Sequence, residues 1–363
     1  MMSWLLIFIP VAIGLEHWLP HQHIAIFAAS GLAILPLAGW MGRATEHLAE
    51  RLGEGVGGLL NATFGNAAEL IIALVALQAG LHDVVKASIA GSIIGNILLV
   101  QGAAMLAGGL RHKEQKFGAE GARAEAGMLT LAAIALILPA AYKVAMGGGV
   151  AAGLVPLSLA ISGVLLGVYG LFLLYSLRTH AGLFRGSHAA AAGAGADEGG
   201  EGGHEPWPVA KAGGVLAAAT VGIAWMSELL VGSIQPAAAA LGLGSAFAGV
   251  FVVAILGNAA EHATAITVAL KNRMDLALSI AIGSSIQVAL FVAPVLVLAS
   301  LAVGPRPMDL VLPGGLVLSV LLAVLISGQT VADGRSDWLK GAQLLAVYGV
   351  LGLTYFFIPG AAP

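Results

Sequence analysis

The sequence contains no cysteine among its 363 residues. Disulfide frameworks, thiolate metal sites and cysteine nucleophiles are thereby excluded, and the redox compartment is left open. Charge is scarce as well. Asp, Glu, Lys and Arg make up 10% of the chain, where a soluble domain carries about a quarter. The 16 Lys and Arg against 19 Asp and Glu leave a formal net charge of −3, so no basic excess is there to serve a nucleic acid. No His-Glu-x-x-His occurs, which opposes an intramembrane metalloprotease. What fills the chain instead is apolar: 59% hydrophobic residues, a mean hydropathy of +0.95 and 51 Gly. Such a composition cannot clothe a water-soluble surface, and most of it must face lipid or other protein. Abundant glycine suits helices packed closely in a membrane.

A helix needs about 20 apolar residues to cross the hydrocarbon core. Runs of that kind lie at about 2–19, 23–41, 58–80, 84–109, 126–143, 150–178, 210–233, 245–271, 275–302, 309–328 and 336–358. The fold class predicted is an all-α integral membrane protein with about eleven transmembrane helices. The first run has no basic n-region and no small-residue cleavage site, and it keeps Glu16 and His17 at its end, so it reads as a retained helix and not a signal peptide. Under the alternation that eleven spans impose, 13 of the Lys and Arg fall on one side and only Lys86, Lys143 and Arg306 on the other. The positive-inside rule then puts the N-terminus in the cytoplasm and the C-terminus outside.

Residues 179–209 differ from the rest. An Ala/Gly run is followed by Asp197, Glu198, Glu201, His204 and Glu205 before Pro206 and Pro208. Low complexity and clustered charge mark a flexible cytoplasmic linker, for which a solvated tether is favoured over a cation-sensing tail. Across it, a constant shift of 192 residues lays Gly65, Asn66, Ala67, Ala68 and Glu69 on Gly257, Asn258, Ala259, Ala260 and Glu261. The same shift pairs Asp83 with Asp275, Gly91 and Ser92 with Gly283 and Ser284, and Leu98 with Leu290. The organisation expected is an extra helix over 1–20, a five-helix repeat over 21–178, the linker, and a second five-helix repeat over 210–363. Five is odd, so the two copies are inserted in opposite senses, the architecture of secondary transporters with a site near the midplane.

Glu69 lies at the centre of the third run and Glu261 near the centre of the eighth, where an ionised carboxylate costs roughly 2.5–3.5 kcal/mol. Asn66 and Asn258 each stand three positions before their Glu, so an amide oxygen and a carboxylate share one helix face. Gly65 and Gly257 directly precede them and allow a break that frees backbone carbonyls. Hard oxygen donors, two of them charged, suit Ca²⁺ better than a transition metal. Ser92 with Asn96, and Ser284 with Ser285 and Gln287, are candidate supporting ligands or hydrogen-bonding partners, the alternative being that they glue helices together. Proton and cation compete for the same carboxylate oxygens, which is the physical basis of exchange. Glu46 and Glu228 stand at broadly similar places in the two halves, Glu228 the deeper in its span, and are candidates for a proton route or gate. For His262 packing and proton relay are equally open. The Glu16, His17, His21 and His23 cluster reads as interfacial solvation.

These residues carry a resemblance. Gly65 to Leu70 followed by Lys86 to Asn96, and Gly257 to His262 followed by Gly283 to Gln287, resemble the two α-repeats of the calcium/proton exchangers in the cation/calcium exchanger superfamily. The resemblance extends over nearly the whole chain. It implies alternating access in which the second and seventh helices slide across a core where Glu69 and Glu261 bind Ca²⁺ and protons in turn. The Gly-Thr-Ser and Pro-Glu or Pro-Asp patterns of the sodium/calcium branch are absent, which disfavours sodium coupling. The expectation is a Ca²⁺/H⁺ antiporter, not an enzyme, with no cofactor, whose partners are Ca²⁺, protons and the lipid bilayer; homo-oligomerisation is left open. A Na⁺ or K⁺/H⁺ antiporter using the same carboxylates remains the alternative, and a cation channel stands behind it. The short chain without a targeting peptide points to a bacterial inner membrane.

Overall fold

The protein is represented by a computed structural model that describes residues 3–52, 57, 59–60, 63–147, 151–184, 207–244 and 247–357. Every apolar window of the sequence holds a helix. In chain order these are α1 Phe8–Trp18, α2 His23–Leu52, α3 Ala67–Gln78, α4 His82–His112, α5 Ala119–Met146 and α6 Ala151–Leu174. After the linker come α7 Val209–Ala240, α8 Ala254–Leu270, α9 Met274–Ala299, α10 Gly314–Val331 and α11 Trp338–Phe356. Among the described residues seven helices are long and apolar enough to cross a membrane: α2, α4, α5, α6, α7, α9 and α11. A bent pair, Ala248–Ala259 with Glu261–Leu270, makes an eighth if it is one span, and Ser3–Trp18, Ala67–Gln78 and Gly315–Val331 are shorter apolar helices.

Burial sorts these helices into a centre and a periphery. In α4 83% of the apolar window is enclosed by protein and in α9 72%, against 22% for α6 and α11. The enclosed helices owe their close approach to small residues: a Cβ at Gly91 of α4 would collide with the backbone of Val250, just before α8. Both central helices also carry a widened π turn, at Gly95–Val100 and at Val288–Val292. Shifted by 192, the second falls on residues 96–100, so the repeat of the sequence is matched by a repeat of an uncommon backbone feature. Outside this core, α2 and α7 pack along each other more extensively than any other two helices.

One element has no counterpart in the hydropathy pattern. Strand β1, Glu114–Lys116, pairs antiparallel with β2, Arg335–Asp337, in the register Glu114 to Asp337, Gln115 to Ser336 and Lys116 to Arg335. Gln115 is 1% exposed between them, and its Nε2 donates to the Ala269 carbonyl at 2.8 Å and to Asn272 Oδ1 at 3.0 Å. The His112 Nε2 meets the Leu270 carbonyl at 2.8 Å. The last carbonyls of α8, which have no partner within their own helix, are thus held by the first half of the chain.

At the first end of the stretch expected to be a linker the chain runs on through a π turn, Tyr175–Thr179, and residues 181–184 are helical with Phe184 buried. At its other end Trp207 stacks on His47 of α2 with ring centroids 4.5 Å apart, because a flat indole finds an apolar and cationic seat between His47 and Lys211. The linker residues Asp197, Glu198, Glu201, His204 and Glu205 lie outside the described residues.

Candidate functional site

The two repeated motifs meet where α3, α4, α8 and α9 come together. Glu69, in the first turn of α3, is buried. Its Oε1 accepts the Ser92 hydroxyl of α4 at 2.7 Å and an N–H of Asn258, a residue of the other half. Asn258 Nδ2 also lies 3.1 Å from Ser92 Oγ and 3.0 Å from the Ala254 carbonyl, so three acceptors share two amide protons. On the opposite side Asn66 donates to Gln287 Oε1 of α9, and its own Oδ1 accepts the Ser284 hydroxyl at 2.8 Å. Asn96, in the π turn of α4, donates to Ser284 Oγ at 3.2 Å. One side-chain network therefore joins Glu69, Ser92 and Asn258, and a second joins Asn66, Asn96, Ser284 and Gln287. Each contains residues of both halves.

Glu261 stands beside this network, half-buried on α8. Glu69 is its charged neighbour and Ser284 lies next to it, but the Ser284 proton goes to Asn66 Oδ1. On each carboxylate the second oxygen, Oε2, is buried without a hydrogen-bond partner among the described residues. Two such oxygens cannot both stay ionised and unpaired at low cost. A proton on one, or a cation between the two, removes the cost. Among the described residues no three His, Asp or Glu cluster as a metal site, so any cation here draws on amide, hydroxyl and backbone oxygens beside the two carboxylates.

The glycines behave differently in the two halves. Gly65 and Asn66 form a turn that precedes α3, so the backbone breaks there as expected. The helix of the second half runs straight through Gly257, and the 65° bend falls between Ala259 and Glu261. Gly257 supplies space instead of a break: a methyl group on it would sit 3.0 Å from Glu69 Cγ. The expectation of a break at Gly257 is corrected accordingly.

Of the weaker candidates, Ser285 donates to the Ala281 carbonyl of its own helix at 3.0 Å and turns away from the network. Glu46 is half-buried on α2. Glu228 stands near the middle of α7, with its side chain exposed. Glu16, His17 and His21 are exposed. Sequence reasoning misses an ion pair at the start of α4, where Lys86 Nζ lies 2.6 Å from Asp309 Oδ1; a lysine within an apolar run is the signal that points to it.

The chain as a whole is similar to known exchangers. The family model described as sodium/calcium exchanger protein matches residues 22–178 and 211–357. A Ca(2+)/H(+) antiporter of Aphanothece halophytica is 49% identical over 359 residues, covering 98% of this chain and 96% of that protein. The Ca(2+)/H(+) antiporter ChaA of Bacillus subtilis strain 168 is 42% identical over 347 residues, covering 95% of each. Among solved structures, native YfkE superposes with a TM-score of 0.81 at 39% identity, over 98% of both chains.

Proposed function

The chain belongs to the sodium/calcium exchanger protein family, among its calcium/proton exchangers, and from that premise we propose that it is a Ca²⁺/H⁺ antiporter working at a midplane site built on Glu69 and Glu261. The observation that carries this reading is the pair of carboxylates, one from each half, each with a buried oxygen that no donor among the described residues satisfies. Ca²⁺ takes six to eight oxygen ligands in an irregular shell, and the two carboxylates with the amide and hydroxyl oxygens of Asn66, Asn258, Ser92 and Ser284 are donors of that class. Asn96 and Gln287 orient the donors on the α9 side.

Exchange follows from competition at these oxygens. With Ca²⁺ bound, both carboxylates are ionised and paired; with the ion released, protons take its place, and the empty, doubly charged site is too costly to carry across the membrane. The site then turns from one face to the other by alternating access, with the closely packed α2 and α7 moving across the core of α3, α4, α8 and α9. Glu46 and Glu228, on those two helices, serve proton entry or gating. The matched stretches, 22–178 and 211–357, and the paired π turns support two repeats of inverted topology, preceded by one extra helix and joined by a cytoplasmic linker. Counting α3, the bent α8, α10 and the first helix as spans gives eleven, with the N-terminus inside and the C-terminus outside. The bacterial relatives support a bacterial inner membrane.

The reading is tested in everted vesicles by the collapse of a preformed proton gradient on addition of Ca²⁺, with Na⁺ and K⁺ in parallel. Collapse on Ca²⁺ that is lost in Glu261→Gln is expected. A response to Na⁺ or K⁺ alone would replace it with a monovalent cation/H⁺ antiporter.

A further inference from the structure

A second acidic site lies away from Glu69 and Glu261, at the end of the molecule where the β1–β2 ladder stands. There the N-terminal turns of α5 and α9 and the chain that follows α6 enclose a cavity of about 50 Å³, lined by Phe117, Glu125, Leu183, Phe184, Asp275 and Ser279 among others. Glu125 of α5 is 7% exposed, and no donor among the described residues reaches its carboxylate. Asp275, in the first turn of α9, stands exposed; its Oδ1 accepts the Gly118 N–H at 2.6 Å, and Oδ2 has no such tie among the described residues. The Leu183 carbonyl comes close as well, since a methyl group on Gly121 would lie 3.1 Å from that oxygen. None of these residues belongs to the central network.

A buried carboxylate without a partner is costly, and a second one beside it adds repulsion. The polar side chains lining the cavity all offer oxygen, two carboxylates and the Ser279 hydroxyl, and the Leu183 carbonyl stands by Gly121. Imidazole and thiolate are absent from the lining, which disfavours transition metals. The cavity has room for one ion that keeps part of its hydration shell, a water occupying about 30 Å³ in the liquid. We infer that Glu125 and Asp275 form a second binding site for a divalent cation of the Ca²⁺ type, separate from the transport site. On the orientation proposed above it opens to the cytoplasm, where it would load before the central site is reached.

The test uses the full chain in detergent with the central site silenced by Glu69→Gln and Glu261→Gln together, so that it does not depend on transport. Equilibrium dialysis against radioactive Ca²⁺ is expected to find about one ion per chain still bound. Adding Glu125→Gln should weaken that binding by about tenfold or more, the range seen when an oxygen partner of a metal is removed. Gly121→Leu, which fills the cavity and leaves both carboxylates in place, should do the same, and a thermal melt on each variant guards against misfolding. No Ca²⁺ bound in the silenced chain, or binding indifferent to both Glu125→Gln and Gly121→Leu, overturns the inference. Binding that emerges only after deletion of 188–203 overturns it too, because the linker and not a cation would then be the occupant.

Discussion

The two halves of the chain carry the same motif and use it differently. Asn258 of the second half crosses to Glu69 and supports it together with Ser92. Asn66 of the first half gives no matching support to Glu261, because its amide goes to Gln287 and its carbonyl oxygen takes the Ser284 proton. The cause is visible at a single pair of positions. Shifted by 192, Gln287 falls on Gly95, which has no side chain to compete for Asn258. The next pair is Val288 and Asn96, and Asn96 adds a further donor on the Ser284 side. A duplicated site thus becomes two unequal carboxylates, one held by hydrogen bonds and one bordered by them. An exchanger that must load two different species has a use for such inequality.

The largest expected effect removes the feature the halves share. Glu69→Gln and Glu261→Gln should each reduce Ca²⁺-dependent proton movement to background; normal rates in either correctly inserted variant would end the two-carboxylate reading. Next comes the test of inequality. Asn258→Ala should slow exchange by about 10- to 100-fold, as loss of a ligand-orienting partner does, and Asn66→Ala by clearly less. Equal losses would erase the distinction. Gly95→Gln places the second half's residue in the first, where a Cβ would meet nothing within 4 Å. It should draw Asn258 away from Glu69 and weaken Ca²⁺-driven proton flux by about tenfold, while Gln287→Gly changes it by a few-fold at most. Smallest of all, deletion of 188–203 should leave flux largely intact, since the comparison is between the halves and not with the tether; complete loss with normal insertion would mean that the linker does more than connect them.

Much of this is legible in the chain, and for physical reasons. A carboxylate in an apolar run is expensive enough to announce itself, and a motif repeated at constant shift across two helices is hard to produce otherwise, so Glu69, Glu261 and their asparagines stand out. The cap of α11 is a finding of the structure: Asp337 Oδ1 accepts the N–H groups of Leu339 and Lys340 at 2.8 and 3.0 Å. What stays hidden depends on contacts between distant segments. No local signal says that Asn66 will bond Gln287, or that the second-half helix bends after Ala259 and not at Gly257. The strands are three residues each and largely charged, too short for an alternating pattern to show. Glu125 escapes notice because the apolar run begins one residue later, which makes it look like an end residue in water.

The β1–β2 ladder has a consequence for how such a chain is made. Glu114 cannot meet Asp337 until more than two hundred further residues have been synthesised and threaded into the bilayer. Glu69 likewise waits for Asn258, 189 positions downstream. Throughout that interval the first half is a nascent intermediate whose polar centre has only local partners. Closure of the ladder, which also gathers the C-terminal carbonyls of α8 through Gln115 and His112, is then among the last events of biogenesis and marks a chain whose two halves have found each other.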